Sequence, residues 1–219
     1  MTNKPRRMFQ QVIDDYARLE PEGGDTWNPL HREVELEHRV ELLRRLAAGL
    51  RAAAVETESL KILDVGCGNG RSTRMYLELG FDPEQLMGVD VRSGALRTAR
   101  HMHAGIQFLL DEGDGWPLSE GAVPWVSLCT VFSSVRDAED RRELADRIRR
   151  VVPPGGHLFF WDRTHALDFA GGDVLVPSDW FEGFASVWES PAVVAGYAAH
   201  GTTEASDVPT HRATLLRRC

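Results

Sequence analysis

The chain of 219 residues is 42% hydrophobic and 26% charged, a balance typical of soluble globular proteins, and its length predicts a single domain. A formal net charge of −8 argues against a broad nucleic-acid-binding face, because such a face needs a concentrated basic surface. Three sparse cysteines argue against a disulfide framework, and the N-terminal stretch lacks the apolar segment of a secretory signal. Because no apolar run reaches the length of a membrane span, a cytoplasmic location is expected.

Two amphipathic helices are predicted before residue 60. Apolar residues at helical spacing indicate a short first helix over 8–19, and a segment rich in proline and glycine then interrupts the pattern. The apolar residues of the second helix fall on one face: Leu36, Val40, Leu43, Ala47 and Leu50. We expect residues 1–55 to form a helical lid over the rest of the domain.

From Leu60 onward, apolar segments of strand length alternate with segments of helix length. The predicted strands are KILDV, LMGVDV, IQFLL, WVSLCTVF and HLFFWD, followed by a final strand at THRATLLRR with an antiparallel neighbour over 188–194. This alternation predicts an α/β fold with a Rossmann-like, doubly wound and mostly parallel sheet of seven strands. Ligands of such sheets lie beyond the carboxyl ends of the strands, so five loops should line a site, namely those after Val65, Val89, Leu110, Phe132 and Phe160.

A glycine-rich turn follows the first predicted strand. Gly66, Gly68 and Gly70 read G-x-G-x-G, whereas a dinucleotide fingerprint would need its third glycine at the position of Arg71. A P-loop would need a lysine before the serine, and the glycine spacing also differs. Both phosphate-binding loops are therefore disfavoured. The remaining interpretation is a tight turn whose missing Cβ atoms let the main chain approach a ligand.

Four motifs then resemble those of class I S-adenosylmethionine-dependent methyltransferases, in the same order and at similar separations. LDVGCGNG resembles the first motif, MGVDV places an acid at the tip of the second strand, and IQFLLDEGDGWPL resembles the third-strand motif. RRVVPPGGHLFFWD resembles the turn into the fifth strand, with Pro153 in place of the usual lysine. The resemblance covers residues 61–162 and implies S-adenosylmethionine as the cofactor.

This resemblance also implies which residues hold the cofactor. Asp90 would accept both ribose hydroxyls, and Glu112, with Asp114 as the alternative, would read the adenine edge. The cofactor-binding residues that we predict are Asp64, Gly66, Cys67, Gly68, Asn69, Gly70, Asp90, Val91, Glu112, Gly113 and Thr130. Cys67 is expected to pack in the turn and not to act as a reactive thiol.

A general base is needed only if the acceptor is a hydroxyl or an amine. His165 and Asp162 follow the fifth strand, and His165 is the preferred base because the ordinary pKa of histidine suits this role near neutrality. Serines replace the histidines that many family members carry after the fourth strand. The predicted acceptor-binding residues are Tyr16, Trp27, His31, Ser133, Ser134 and Arg163.

Two other patterns are given structural interpretations. Arginines crowd the helix over 137–152 and interleave with acids, which predicts a solvated face and not an RNA site: Arg141, Arg142, Arg147, Arg149 and Arg150. His101 and His103 form an H-x-H pair, but no further ligand has metal-site spacing, so no metal is expected.

A small-molecule acceptor fits the sequence best. TVFSS after the fourth strand differs from the Asp/Asn-Pro-Pro-Tyr motif of nucleic-acid amine methyltransferases, and it resembles bacterial enzymes of specialised-metabolite, antibiotic or glycan biosynthesis. O-methylation of a natural product or sugar is favoured, with N- or C-methylation left open and residues 163–219 building the acceptor pocket and final strand. A NAD-dependent oxidoreductase and a non-catalytic methyltransferase-like partner protein remain alternatives. No nucleic-acid or membrane partner is expected, and a homodimer is left open.

Overall fold

The computed structural model describes residues 8–19, 33–163, 176–193 and 211–219. Its helices are α1 Gln10–Leu19, α2 Glu33–Ala53, α3 Arg71–Glu78, α4 Ser93–Met102 and α5 Ala138–Val151. Its strands are β1 Ile62–Val65, β2 Leu86–Asp90, β3 Gln107–Leu110, β4 Trp125–Cys129, β5 His157–Arg163, β6 Phe184–Glu189 and β7 His211–Arg218.

The strands form one sheet in the order β3-β2-β1-β4-β5-β7-β6. The first five strands are parallel, whereas β7 runs antiparallel to both β5 and β6. Strand order reverses between β1 and β4, so the crevice for a ligand lies at the carboxyl ends of these two strands. The α/β, Rossmann-like, mostly parallel seven-stranded prediction is confirmed.

Both faces of the sheet are covered, which explains why the parallel strands are continuous apolar runs. Successive side chains of β1 point to opposite faces. Ile62 packs in the layer that contains α2, α3 and α4, whereas Leu63 and Val65 pack in the layer that contains α5. All four residues of β1 are buried, so this strand forms the centre of the core.

The predicted apolar face of α2 is wrong in its N-terminal half. Leu36 and Val40 are 52% and 45% exposed, and the helix instead packs on the sheet through Leu42 and Leu46. Its last turns come closest to the sheet at Gly49, where a Cβ would lie 3.0 Å from the Phe159 ring. The buried face therefore differs from the apolar face predicted by the sequence. Only the C-terminal half of the helix crosses the core.

The interpretation of the α5 arginines as a solvated face is also wrong for two of them. Arg141 and Arg147 are 6% and 3% exposed. The Arg141 Nε donates to the main-chain oxygen of Val135, and Arg147 pairs with carboxylates on its own helix and on the loop after β3. These partners satisfy the buried guanidinium groups, which the sequence pattern of i, i+4 pairs did not indicate.

Several element boundaries differ from the prediction. β4 ends at Cys129, because Thr130 has φ 58°, and a 3₁₀ turn covers Phe132–Ser134. The antiparallel neighbour of the final strand is confirmed, but it begins at Phe184, and Val193 adds an isolated bridge to His211. Among the described residues, no helix combines the length and the apolar character that crossing a membrane requires.

Candidate functional site

A cavity lies at the carboxyl ends of the central strands and beneath α1. The strand ends contribute Val65, Gly66, Val89, Asp90, Val91 and Thr130. The helix α1 and its preceding turn close the cavity from above with Phe9, Val12 and Tyr16. The polar side chains of Asp90 and Thr130 thus share a largely apolar cavity with the aromatic groups of α1 and its preceding turn, an arrangement common in small-molecule sites.

The three glycines of the turn after β1 all have positive φ: 70° at Gly66, 56° at Gly68 and 82° at Gly70. A Cβ at Gly66 would lie 2.5 Å from Cγ2 of Val131, which no real side chain tolerates. The turn is fastened to β2, because the Gly66 and Cys67 N–H groups donate to the Val89 oxygen at 2.8 and 3.1 Å. Glycine is therefore required here by both conformation and space.

Asp90, at the end of β2, holds the turn directly. Its Oδ2 accepts a hydrogen bond from the Gly68 N–H at 2.8 Å, and its Oδ1 accepts from the main-chain N–H of Arg92 at 2.8 Å. The Arg92 Nε also donates to Oδ1, at 3.2 Å. The Arg92 guanidinium in turn lies 3.9 Å from the ring centroid of Tyr16, so strand, turn and lid meet at one carboxylate.

Asp64 lies below the turn and not in the cavity wall. The hydroxyls of Ser72 and Thr73 donate to its Oδ2 at 2.6 and 2.7 Å, and Ser127 donates to its Oδ1 at 3.2 Å. Complete burial raises the pKa of Asp64 to about 6, opposed in part by these hydroxyls. The residue ties the start of α3 to β4 under the glycine turn, and its direct contact with a cofactor stays a prediction.

At the end of β3 the structure places Asp111, and not the predicted acid, beside the cavity. Asp111 is buried and accepts from Gly113 N at 2.8 Å, from Trp116 Nε1 at 3.0 Å and from Arg147 Nη1 at 2.9 Å. Glu112 and Asp114 are exposed, whereas Gly113 is half-buried. The adenine-reading role of Glu112 stays a prediction. The reasoning from sequence missed Asp111, although its position directly after a buried strand was the available signal.

Thr130 is a strained residue at the end of β4. Its φ of 58° is unusual for a β-branched side chain, and such strain is most often held at functional sites. Its N–H donates to the Trp161 oxygen at 2.7 Å, and the Ser134 hydroxyl donates to the Thr130 oxygen at 3.2 Å. These bonds keep the loop after β4 at the cavity, where Thr130 and Ser134 both line the wall.

Asp162, a predicted base, is 1% exposed at the end of β5. Its oxygens accept the main-chain N–H groups of Ser133 at 3.1 Å and of Arg163 at 2.8 Å. Burial raises the pKa of Asp162, opposed by the hydrogen bonds from Ser133 and Arg163. In this geometry it holds the loop after β4 in place, and a role as general base stays a prediction.

The comparisons with known proteins agree with this geometry. Residues 62–156 match the methyltransferase domain family. The match confirms, for this part of the chain, the prediction of a methyltransferase core whose methyl donor is S-adenosylmethionine. The matched segment ends just before β5. It contains the glycine turn, Asp90 and the strained loop after β4.

Curated relatives of the methyltransferase domain share moderate identity. The chain is 32% identical over 135 residues to trans-aconitate 2-methyltransferase of Acidovorax sp. (strain JS42), which covers 60% of this chain and 48% of that protein. It is 30% identical over 100 residues to malonyl-[acyl-carrier protein] O-methyltransferase of Serratia marcescens, covering 46% of this chain and 37% of that protein. The chain thus spans about half the length, or less, of these two relatives.

Solved structures support the fold around this domain. The N-methyltransferase NodS of Bradyrhizobium japonicum WM9, in complex with S-adenosyl-L-homocysteine, superposes with a TM-score of 0.64 at 18% identity, covering 97% of this chain and 99% of that one. The PH0226 protein of Pyrococcus horikoshii OT3 gives a TM-score of 0.62 at 14% identity, covering 94% and 99% of the two chains. At such identities the likeness concerns the fold alone.

The region where α2, β5 and β7 meet holds a cluster of aromatic side chains that the sequence did not reveal. Trp161 Nε1 donates to Nε2 of His38 at 3.4 Å, and the Trp161 ring stacks on His211 with centroids 5.4 Å apart. Burial and the charge of Arg163 lower the pKa of His38 to about 4. Burial, followed by the effects of His38 and Arg163, lowers the pKa of His211 to about 2, so both imidazoles are neutral at neutral pH.

The remaining predicted site residues have different placements. Cys67 is buried, and burial raises the pKa of its thiol well above the ordinary value, which fits packing. His103 is also buried, against Phe108, while His101 is exposed. Within the described ranges, no three potential metal ligands come together. Three predicted residues lie outside the described part of the chain: Trp27, His31 and His165.

Proposed function

We propose that the whole protein is an S-adenosylmethionine-dependent methyltransferase that methylates an oxygen atom of a small molecule. The acceptor class that we favour is a natural product or sugar of bacterial specialised metabolism or glycan biosynthesis. The observation that carries the proposal is the bond from the Gly68 N–H to Asp90, at 2.8 Å, inside the matched methyltransferase domain. It joins the glycine turn to an acid at the carboxyl ends of β1 and β2, where this fold class binds nucleosides.

The residues around the cavity fit the cofactor. Gly66 contributes its main chain to the cavity wall, Asp90 offers a carboxylate for a ribose, and Val91 contributes apolar surface. Phe9, Val12 and Tyr16 shield these groups from water. When bound, the cofactor supplies a methyl group on a sulfonium, which is already activated for displacement. The protein's main task is then to align the acceptor with that methyl group.

The acceptor would approach from the loop after β4 and the end of β5. Ser133 and Ser134 follow the strained Thr130 in that loop, Arg163 ends β5, and Tyr16 lines the same cavity from α1. The name of the Serratia relative favours oxygen as the methylated atom, whereas the name of the NodS neighbour keeps nitrogen open. C-methylation also remains open.

A proton must leave the acceptor only if a hydroxyl or an amine is methylated. Asp162 is one candidate base, because burial raises its pKa, and His165 is the other. A carboxylate acceptor would need neither. Arg163, beside Asp162, is suited to orient an anionic acceptor of that kind.

Transfer of a labelled methyl group from S-adenosylmethionine to a panel of sugars, phenols, amines and carboxylic acids tests this function. We expect transfer to at least one oxygen acceptor, with Asp162→Asn slowing turnover on hydroxyl acceptors while leaving S-adenosylhomocysteine affinity unchanged. Transfer only to nitrogen or carbon would contradict the O-methylation proposal. No transfer to any class, together with saturable NADH binding, would favour the oxidoreductase alternative.

A further inference from the structure

The Asp90 carboxylate already has hydrogen-bond donors from its own chain. An ionised carboxylate offers about four acceptor positions on its two oxygens. Three of them are used: Gly68 N–H on Oδ2, and the main-chain N–H and Nε of Arg92 on Oδ1. The carboxylate is 5% exposed and the Arg92 side chain 16%, so bulk water and salt screen this ion pair only weakly.

A ribose brings two hydroxyl donors to such a carboxylate. If the proposed function holds, on which this inference rests, Asp90 must therefore provide two acceptor positions where only about one is left. One of the three present donors has to withdraw. These donors are all seen in the structure, and their number does not depend on which molecule accepts the methyl group.

The donor that can withdraw is the Arg92 side chain. The Gly68 N–H is part of the turn with φ 56°, and the Arg92 N–H belongs to the main chain at the start of α4. Moving either would break the packing of the strand ends, whereas Nε can leave by rotation of side-chain bonds. We propose that Arg92 is a specificity-determining residue of the cofactor site, whose guanidinium competes with the ribose diol for Asp90.

The surroundings of Arg92 support this competition. Its Nη2 lies 2.9 Å from where a Cβ on Gly68 would stand, so the guanidinium covers the turn that would face the cofactor. The guanidinium carbon of Arg92 also lies 3.9 Å from the centroid of the Tyr16 ring. Tyr16 gives the displaced cation a favourable contact that survives the loss of the Asp90 bond. α1 is itself anchored independently of Arg92, since Phe9 N donates to Asp140 Oδ2 at 3.1 Å.

Calorimetric titration of S-adenosylhomocysteine against wild-type protein and Arg92→Met tests the competition. We expect Arg92→Met to bind about tenfold more tightly, because removing one competing charge-assisted hydrogen bond corresponds to roughly that factor. Arg97 is an exposed arginine of α4, the helix that begins directly after Arg92. Arg97→Met is therefore the matched control and should leave the affinity unchanged. Arg92→Leu, measured in parallel after a thermal melt, guards against a folding artefact in the methionine variant.

A cofactor analogue without the ribose 2′-hydroxyl separates the proposed cause from a general electrostatic effect. Because it needs only one acceptor position, it should bind wild-type protein and Arg92→Met with the same affinity. Equal or weaker binding of S-adenosylhomocysteine by Arg92→Met would overturn the inference, as would an equal gain for the 2′-deoxy analogue. Absence of binding to wild-type protein would instead contradict the proposed function.

Discussion

The cofactor site and the cluster where α2, β5 and β7 meet are built in different ways. On the cofactor side, the contacts of Asp90 join residues close in sequence: Gly68 to Asp90 over 22 positions and Asp90 to Arg92 over two. On the α2–β5–β7 side, Trp161 and His38 are 123 positions apart, and β5 meets β7 through His211. The contacts of Asp90 belong to a local motif that serves both the fold and the binding of a ligand. The cluster of His38, Trp161 and His211, in contrast, forms only once the whole sheet has formed.

The difference indicates which contacts are tightly constrained by the backbone and which can vary with their side chains. A glycine turn and an acid on the neighbouring strand form a binding site largely from main-chain groups, and few other sequences could replace them. The far side uses side chains from three separate elements, so its chemistry changes with each of them. We therefore expect substitutions on the cofactor side to disturb fold and binding together, and those on the far side to act mainly through charge.

The largest effect is expected for the ion pair that fixes the β3 end of the cofactor side. Arg147→Ala removes the partner of buried Asp111 and should lower the free energy of unfolding by about 3–5 kcal/mol, as measured by urea denaturation. Arg149→Ala breaks an exposed pair with Asp146 on the same helix and should cost less than about 1 kcal/mol. Equal losses for the two variants would contradict the expectation that the buried Arg147–Asp111 pair stabilises the fold more than the exposed pair does.

A slightly smaller effect is expected in the glycine turn. Gly66→Ala places a Cβ against Val131 at positive φ, and should cost about 2–4 kcal/mol of folding stability as well as cofactor affinity. Gly80 also has positive φ, 91°, but nothing lies within 4 Å of its Cβ position. Gly80→Ala should therefore cost only about 1 kcal/mol and leave S-adenosylhomocysteine affinity intact. A Gly66→Ala protein as stable as Gly80→Ala would contradict the packing argument.

The carboxylate of Asp90, which is expected to accept the ribose hydroxyls, should also affect cofactor binding. Asp90→Ala is expected to weaken S-adenosylhomocysteine binding by about 2 kcal/mol, since ligand hydroxyls lose a charged partner. Glu120→Ala removes an exposed acid near the start of β4 and serves as the control in the same titration. A change of less than about threefold for Asp90→Ala would remove Asp90 from the cofactor site.

On the far side, the expected effect is smaller and depends on pH. The folded pKa values of His211 and His38 lie below the unfolded value of 6.5, so the unfolded chain binds more protons in acid. Their contribution to stability is complete above pH 6.5 and is lost as the pH falls toward about 4 for His38 and about 2 for His211. Between pH 6.5 and 4.5, wild-type protein should lose about 1–2 kcal/mol more than His211→Phe. The exposed His101→Gln should behave like wild type, and identical slopes for all three proteins would contradict neutral burial of His211.

The strands and the glycine turn of the cofactor side could be predicted because their signals are short-range. The glycine spacing, Asp90 and the strand–helix alternation could be read within windows of about thirty residues, and the sheet follows from them. Three features could not be predicted in this way: the burial of Arg147, the exposure of Leu36 and the His38–Trp161–His211 cluster. Each depends on which distant elements come to lie side by side. That Asp111 lines the cavity while Glu112 is exposed is a difference of one residue in register, which periodicity does not resolve.

Calorimetric titration of the wild-type chain with S-adenosylhomocysteine, run beside a titration with NADH, tests most directly whether the glycine turn and Asp90 form a nucleoside site for a methyl donor. The structure leads us to expect saturable heat at one ligand per chain for S-adenosylhomocysteine and none for NADH. Saturable heat with NADH alone, or none with either ligand, would contradict it.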